Sequence, residues 1–427
     1  MKTAFSLRHE ETRLQNGAKI VSVPIPYASS VTVMVIVHAG PRFDPIGKTG
    51  LSHVIEHIKI QSEWSRKKIE PSLSELEEYG SSLNGFTYFE TNKYWLHLVP
   101  EFALDGVKYL CQIINRSDCS AEDLAKEKKT IMEEMRIIES NPEKKIWEIW
   151  AKHIFQGTPL ANDYIGDEAN LQHIENQDVS NFINQFYRPE RITFLFCGNV
   201  SNKFLKSASD YINIGLTERN QLTPANDSLL ALENNDVISV HKTSTKTLHV
   251  MVGFRTVPRG EKMQYTFEVI QSYLNGGYQS IFAEKLRTSG LVYFTYLFVV
   301  HLSDAGYFSI SFTALPNNLN TVLKVIYDAL NNLKDGNINE QRLEKAKNYT
   351  IFHQILQLDG TKAIADYFAR QIPYSNNVLI DPQQEEAMTK KVTSSDVHQA
   401  AKKYFSKEAL RIAIVGNVEN QTISLDF

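Results

Sequence analysis

Two histidines and a glutamate within one five-residue stretch have the spacing of a metal site on a helix. Residues 53–57 read His-Val-Ile-Glu-His. Residues four apart lie on one face of an α-helix, so the imidazoles of His53 and His57 can reach one ion, and Glu56 shares that face. Imidazole and carboxylate suit Zn²⁺, which keeps a position for water at a catalytic site. The pattern predicts two zinc ligands and a base, Glu56, although two surface histidines would show the same spacing.

The third ligand must come from another element, and the sequence offers a long acidic helix. Ser120 is a good N-cap for residues 121–140, where apolar residues recur at helical spacing. Glu127 and Glu134 lie two turns apart on one face of this helix. One carboxylate could bind the metal while another holds a ligating histidine through a hydrogen bond. The residues themselves leave four candidates open, each of which also fits an ordinary surface glutamate: Glu127, Glu133, Glu134 and Glu139.

Composition excludes several classes of protein. Hydrophobic residues make up 42% of the 427-residue chain and charged residues 22%, as in globular domains with a sizeable core. A net charge of -4 argues against nucleic acid or an anionic membrane as the partner, so a peptide or small molecule is expected. The chain has no apolar run of about 18 residues and a charged beginning, which predicts neither export nor a membrane anchor. Three cysteines without a Cys-x-x-Cys pair are typical of the cytoplasm.

The chain contains one internal repeat. A buried-strand pattern that ends at Gly198 recurs at Gly416, 218 residues later. A second strand pattern, which contains Val33, recurs around Val250, 217 residues later. Two matches at nearly the same offset predict a duplicated domain.

The repeat and the local patterns together predict the fold class. Short β-rich runs and helical segments, such as 121–140 and 319–333, follow one another without regular βαβ alternation. This predicts an α+β fold of two duplicated domains, each with helices packed on a largely antiparallel sheet. We place the domains at residues 1–215 and 237–427, joined by a polar linker at 216–236.

The chain resembles the pitrilysin family of zinc metallopeptidases, which includes insulin-degrading enzyme, mitochondrial processing peptidase and small two-domain bacterial members. This family carries the inverted His-x-x-Glu-His stretch of the inverzincins. A glutamate ligand follows that stretch, and a supporting glutamate stands seven residues before the ligand. Here Glu134 follows His57 by 77 residues, and Glu127 stands seven residues before Glu134. The resemblance implies that Glu134 is the third zinc ligand and that Glu127 supports the site.

Two further stretches extend the resemblance to both halves of the chain. Residues 80–87 resemble an edge segment whose asparagine, here Asn84, faces the substrate. Residues 282–293 resemble the family's second signature, in which an arginine and a tyrosine, here Arg287 and Tyr293, grip the substrate. The resemblance implies that a peptide binds as an added β-strand along residues 84–88.

The sequence also departs from the family pattern near these stretches. Gly85 replaces the usual alanine, Thr158 stands where histidine is common, and residues 58–65 lack the usual Phe-Lys-Gly-Thr. The last departure puts the shape of the pocket wall in question. No glycine-rich loop of the noncatalytic processing-peptidase subunit is present in the sequence, so the chain resembles a catalytic subunit.

The resemblance implies a zinc endopeptidase, with one Zn²⁺ per chain, that hydrolyses peptides or small unfolded polypeptides. Large family members enclose their substrate in a clamshell chamber built from four such domains, of which this chain supplies two, or one half. A dimer is therefore expected, either a homodimer or a heterodimer with a homologous subunit, in which Arg287 and Tyr293 serve their own zinc or the partner's. The alternative is a noncatalytic partner or scaffold subunit, a role in which metal-site residues are usually lost.

Overall fold

The computed structural model of the chain describes residues 7–62, 69–217, 219, 236–373, 378–419 and 422–427. The chain forms two compact units, each assembled from three segments. The first unit comprises Met1–Arg136, Asn162–Leu229 and Leu358–Asp381. The second comprises Ile137–Ala161, Leu230–Gln357 and Pro382–Phe427.

Each unit contains one mixed, largely antiparallel sheet. The strands are β1 (Glu10–Arg13), β2 (Lys19–Pro24), β3 (Val31–Val37), β4 (Leu83–Tyr88), β5 (Thr91–Leu98), β6 (Ile192–Gly198), β7 (Ile238–His241), β8 (Leu248–Thr256), β9 (Thr295–His301), β10 (Gly306–Ala314) and β11 (Arg411–Val415). The first sheet has the order β1-β2-β6-β3-β5-β4, and the second has the order β7-β11-β8-β10-β9. In each sheet one pair of neighbours is parallel, β2 with β6 and β7 with β11, and the other pairs are antiparallel.

Helices make up most of the remaining described structure. They are α1 (Leu51–Gln61), α2 (Leu73–Glu78), α3 (Ala103–Asn115), α4 (Ala121–Glu139), α5 (Pro142–Ile154), α6 (Glu168–His173), α7 (Asn176–Phe186), α8 (Asn202–Gly215), α9 (Met263–Asn275), α10 (Leu319–Lys334), α11 (Glu340–Leu356), α12 (Thr361–Ala369), α13 (Pro382–Lys390) and α14 (Ser394–Tyr404). A π-helix spans Ala283–Arg287. No helix in the described ranges is long and apolar enough to span a bilayer. The α+β prediction, with helices on two similar sheets, is confirmed.

Strand register confirms the internal repeat residue by residue. In the first sheet Val33 on β3 lies opposite Phe196 on β6. In the second sheet Val250 on β8 lies opposite Ile414 on β11. These pairs are related by the 217- and 218-residue offsets of the sequence repeat, so the two sheets share both topology and register.

Each repeat contributes one helix to the other repeat's sheet. Helix α5 comes from the first half of the chain, yet it packs on β8 and β11 of the second sheet. Helix α12 comes from the second half, and it packs on β3 and β6 of the first sheet. The compact units therefore differ from the contiguous predicted domains by these two exchanged segments. Most of the predicted linker lies outside the described residues.

The exchanged helix α12 completes the core of the first unit. Its Ile364 and Phe368 belong to one buried cluster with Met34 and Ile36 of β3. Helix α3 packs on the same strand and on β5. Every residue of β3 is buried, and all except Thr32 are apolar, since a strand covered on both faces shows no regular polar alternation.

Candidate metal centre

The helix that carries the histidines starts at a position fixed by the preceding loop. Gly50, at the N-cap of α1, has a φ of 92°, and a Cβ added there would lie 2.8 Å from the Ile165 carbonyl oxygen. Only glycine fits this left-handed and crowded position. The buried carboxylate of Asp44 accepts hydrogen bonds from the backbone N–H groups of Gly50 and Ser52, at 2.8 and 2.9 Å. Asp44 thereby satisfies donors that the first turn leaves unpaired.

Side chains from helices α1 and α4 converge on one point. The Nε2 atoms of His53 and His57 lie 3.7 and 3.5 Å from Oε2 of Glu134. One ligand atom from each of these three residues falls within 4.8 Å of the others. Tetrahedral ligands about 2.0–2.2 Å from a zinc ion are separated by about 3.3–3.6 Å. The donor types and their spacing therefore fit a metal ion such as Zn²⁺.

The two histidines have opposite electrostatic environments. Burial, together with the neighbouring His57, lowers the pKa of His53 to about 3, so this imidazole is held neutral, as a ligand requires. Burial acts in the same direction on His57. Hydrogen bonds to Glu127 and Glu134 outweigh it there and raise the pKa of His57 to about 9. A cation bound between these side chains would take over the charge that a proton supplies to His57.

The structure separates the four glutamates that the sequence left as candidates for the third ligand. Glu127 is buried and accepts a 3.3 Å hydrogen bond from Nδ1 of His57, which fixes the tautomer that directs Nε2 towards Glu134. Glu133 pairs with Arg136 on the exposed side of α4. Glu139 pairs with Lys145 and His241, and all three residues belong to the second unit. Of these four described glutamates, only Glu134 and Glu127 contact His53 or His57.

Glu56 lies beside the three convergent side chains, on the face of α1 that packs against the edge strand β4. Its carboxylate accepts a hydrogen bond from the Thr87 hydroxyl. Burial raises the pKa of Glu56, against the opposing effects of the Thr87 hydrogen bond and of His57. A carboxylate of increased basicity next to a metal site is suited to proton transfer.

Sequence reasoning assigned no role to several residues that hold the site. One is Thr87, which bonds to Glu56. Another is Tyr164, whose ring packs edge-on against the His53 ring, with centroids 5.7 Å apart. Asn92 of β5 donates a 2.8 Å hydrogen bond to the Ser52 carbonyl oxygen of α1. Period-two alternation along β4 and β5 is the signal that could have placed Thr87 and Asn92 on inward faces. Tyr164 follows no local pattern that we can identify.

The described part of the stretch that departs from the family contains a buried lysine. Nζ of Lys59 donates a 2.8 Å hydrogen bond to the Ile113 carbonyl oxygen and a second to the Arg116 carbonyl oxygen. These oxygens belong to the end of α3, where a cation is favoured by the helix dipole. Lys59 thus ties helix α1 to α3. Residues 63–65 of the departing stretch lie outside the described residues.

The residues expected to contact substrate are divided between the two units. Asn84 is exposed on β4, and its amide donates to the Ser82 carbonyl oxygen at 3.4 Å. In the second unit, the Arg287 guanidinium lies 4.7 Å from the centre of the Tyr278 ring, and Tyr293 is 85% exposed. Their roles as substrate contacts remain predictions.

Family domains match both halves of the chain in order. Residues 19–168 match "Insulinase (Peptidase family M16)", and residues 173–350 match "Peptidase M16 inactive domain". The first match contains the convergent residues His53, His57 and Glu134, and the second contains Arg287 and Tyr293.

Individual proteins of this family are similar to the chain over most of its length. An uncharacterized zinc protease of Mycobacterium leprae is 24% identical over 81% of this chain and 78% of that protein. A probable mitochondrial-processing peptidase subunit beta of Schizosaccharomyces pombe is 24% identical over 96% of this chain and 92% of that protein. The crystal structure of a protease from Helicobacter pylori superposes with a TM-score of 0.88 at 19% identity, covering 97% of this chain and all of the other. With both family domains present in sequence and the shared fold in three dimensions, the chain belongs to peptidase family M16.

Proposed function

We propose that the protein is a zinc-dependent endopeptidase whose metal ligands are His53, His57 and Glu134. The observation that carries this proposal is the convergence of three suitable donor atoms within 4.8 Å, with the carboxylate of Glu56 beside them. Zinc bound there would act as a Lewis acid that polarises the scissile carbonyl and makes water easier to deprotonate. The M. leprae relative, described as a zinc protease, supports this choice of metal.

The chain's own residues divide the remaining chemistry among them. Glu56 takes the proton of the attacking water and then delivers it to the departing amine. Glu127 holds His57 through Nδ1, so that Nε2 stays available as a ligand. A positioned general base contributes about 10²- to 10⁴-fold to the rate.

Replacing the base separates catalysis from metal binding. Glu56→Gln should bind one zinc per chain and lose about 10²- to 10⁴-fold in kcat on a mixed peptide library. Glu133→Gln, a change of the same type on the exposed side of α4, should keep wild-type activity. Chelation should abolish cleavage by the wild-type chain, and added zinc should restore it. Zinc-loaded wild-type protein that cleaves no peptide would instead support the noncatalytic subunit, and an active Glu56→Gln variant would remove Glu56 as the base.

The proposed substrates are peptides and small unfolded polypeptides bound along β4. This strand lies at the edge of the first sheet, so one side of its backbone can pair with an extended peptide. Asn84 would contact that peptide, and Arg287 and Tyr293 would grip it through forked and hydroxyl donors. Backbone pairing gives affinity without demanding one sequence, which suits a broad range of peptides.

We further propose a cytoplasmic homodimer that encloses its substrate in a chamber, with a heterodimer of homologous chains as the variant arrangement. The three cysteines are free and buried, as suits a reducing compartment. The S. pombe relative is described as a subunit, which supports association with a second chain. Mixing Glu56→Gln and Arg287→Ala chains, each inactive alone, should restore part of the activity if Arg287 serves the partner's zinc. A monomer with full activity would contradict the chamber.

A further inference from the structure

The inner face of strand β4 lies against the catalytic side of helix α1. Alternate residues of this strand point to opposite faces. Asn84 and Phe86 are exposed, whereas Thr87 is buried and the missing side chain of Gly85 would face α1. Strand β4 therefore contacts Glu56, and its outer edge is the proposed binding site for substrate.

Gly85 leaves room for the side chain of Glu56. A Cβ added at position 85 would lie 2.1 Å from Cδ1 of Ile60 and 3.1 Å from both Cγ and Oε1 of Glu56. The first distance is far below any normal contact, so alanine would force the terminal methyl of Ile60 to move, and its Cβ would also crowd the side chain of Glu56. Glycine at this position is thus matched to the isoleucine one turn after Glu56.

Thr87 holds the other oxygen of the same carboxylate. Its hydroxyl donates to Oε2 of Glu56, while Oε1 faces the space at Gly85. The position of Thr87 is itself fixed, because β4 pairs with β5 at Thr87 and Asn92, and Asn92 donates to the backbone of α1. Strands β4 and β5 are therefore tied to α1 at Glu56 and at Ser52.

We propose that Thr87 is a positioning residue for Glu56, and that Gly85 keeps the space into which Oε1 of this carboxylate is directed. This inference rests on the proposed function of Glu56 as the base. We assign proton acceptance to Oε1, because Oε2 already accepts a hydrogen bond from the Thr87 hydroxyl. A peptide paired along β4 binds to the strand that also orients the base.

The first test removes the hydroxyl alone. Thr87→Val should lower kcat on the order of 10²-fold, the cost of misplacing a catalytic group by about 1 Å. KM and zinc content should not change, and Thr87→Ser, which restores the hydroxyl, should recover most of kcat. Thr32→Val is the matched control and should keep wild-type kcat, because Thr32 is also buried in this sheet but bonds to His97 and Thr361. Wild-type kcat in Thr87→Val, or failure of Thr87→Ser to recover, would overturn the proposal.

The second test concerns the space at Gly85. Gly85→Ala should lower kcat because the new Cβ meets Cδ1 of Ile60. Ile60→Val removes that carbon atom and should have little effect alone. The double variant should then recover much of the activity lost in Gly85→Ala. If the two changes are simply additive, the contact with Ile60 does not set the position of the base.

A third measurement does not depend on activity. In metal-free protein, the shifts in denaturation midpoint caused by Thr87→Val and Glu56→Ala should be non-additive in the double variant, since one hydrogen bond links the two residues. Additive shifts would refute the hydrogen bond whether or not the protein cleaves peptides. Wild-type protein without peptidase activity would defeat the proposed function alone, whereas an active wild type with a fully active Thr87→Val variant would defeat this inference alone.

Discussion

Two glutamates of helix α4, Glu127 and Glu134, contact His57 in different ways. The side chain of Glu127 is 2% exposed and bonds to Nδ1 of His57. The side chain of Glu134 is 46% exposed and faces the Nε2 atoms of His53 and His57. A buried carboxylate with one partner orients that partner. A carboxylate open to solvent can bind an ion that arrives from solution. Because both residues are glutamates, it is their exposure to solvent that distinguishes the supporting Glu127 from the proposed ligand Glu134.

Glu127→Gln should therefore weaken zinc binding without abolishing it. The amide keeps the shape of the side chain but loses the charge that favours the Nδ1–H tautomer of His57, and such changes typically cost about 10- to 100-fold in metal affinity. Competition with a chromophoric chelator measures this loss. Glu133→Gln on the same helix is the control and should retain wild-type affinity. Equal affinities for the two variants would mean that Glu127 does not orient His57.

Local sequence patterns predicted the elements of the site better than its contacts. The N-cap at Ser120 and the helical repeat predicted a helix over residues 121–140, and the structure has α4 at Ala121–Glu139. The spacing within that helix could not select Glu134, because the choice depends on how α4 crosses α1. The role of Thr87 was not predicted for a similar reason. Its partner Glu56 lies 31 residues away in the sequence, and the two meet only because the sheet places β4 against α1.

Helix α1 is stabilised at its start by a side chain that lies outside it. The carboxylate of Asp44 accepts hydrogen bonds from the N–H groups of Gly50 and Ser52, so the first turn of α1 is tied to the loop that follows β3. His53 is in this first turn. The order of one proposed ligand thus depends on a carboxylate with no direct contact to the metal site.

Asp44→Ala should destabilise the fold by about 1–3 kcal/mol, because two backbone donors lose a buried acceptor. It should also reduce zinc affinity, because the turn that carries His53 becomes less ordered. Ser201→Ala removes the cap of α8 and should cost about 0.5–2 kcal/mol while leaving zinc affinity unchanged. Urea denaturation and chelator competition provide the two measurements. An Asp44→Ala variant that binds zinc like Ser201→Ala would contradict the dependence of the site on this cap.

At the scale of the molecule, duplication explains the topology and exchange explains the unit boundaries. The repeat was visible in the sequence because buried strands conserve their apolar pattern at fixed offsets. The exchange of α5 and α12 was not visible, because an amphipathic helix does not indicate which of two similar sheets it covers. Trp150 of α5, for example, packs against Tyr307 of β10, with ring centroids 5.9 Å apart.

Fragments 1–217 and 236–427 should consequently fold poorly when produced alone. The first lacks α12, and the second lacks α5, so each sheet would expose an apolar face that is buried in the intact chain. Co-expression should yield a complex that copurifies through a tag on one fragment and resists proteolysis like the intact chain. Two fragments that are separately protease-resistant and do not associate would contradict the exchange.

The hydrogen bond between the hydroxyls of Ser30 and Thr361 joins positions 331 residues apart. A ribosome that adds about 5 to 20 residues per second needs roughly 15 to 65 s to cover this distance. Strand β3 is synthesised at the start of that interval, whereas the helix that covers one of its faces is synthesised only at its end. The apolar face of β3 therefore remains accessible to chaperones until residues 361–369 have been added.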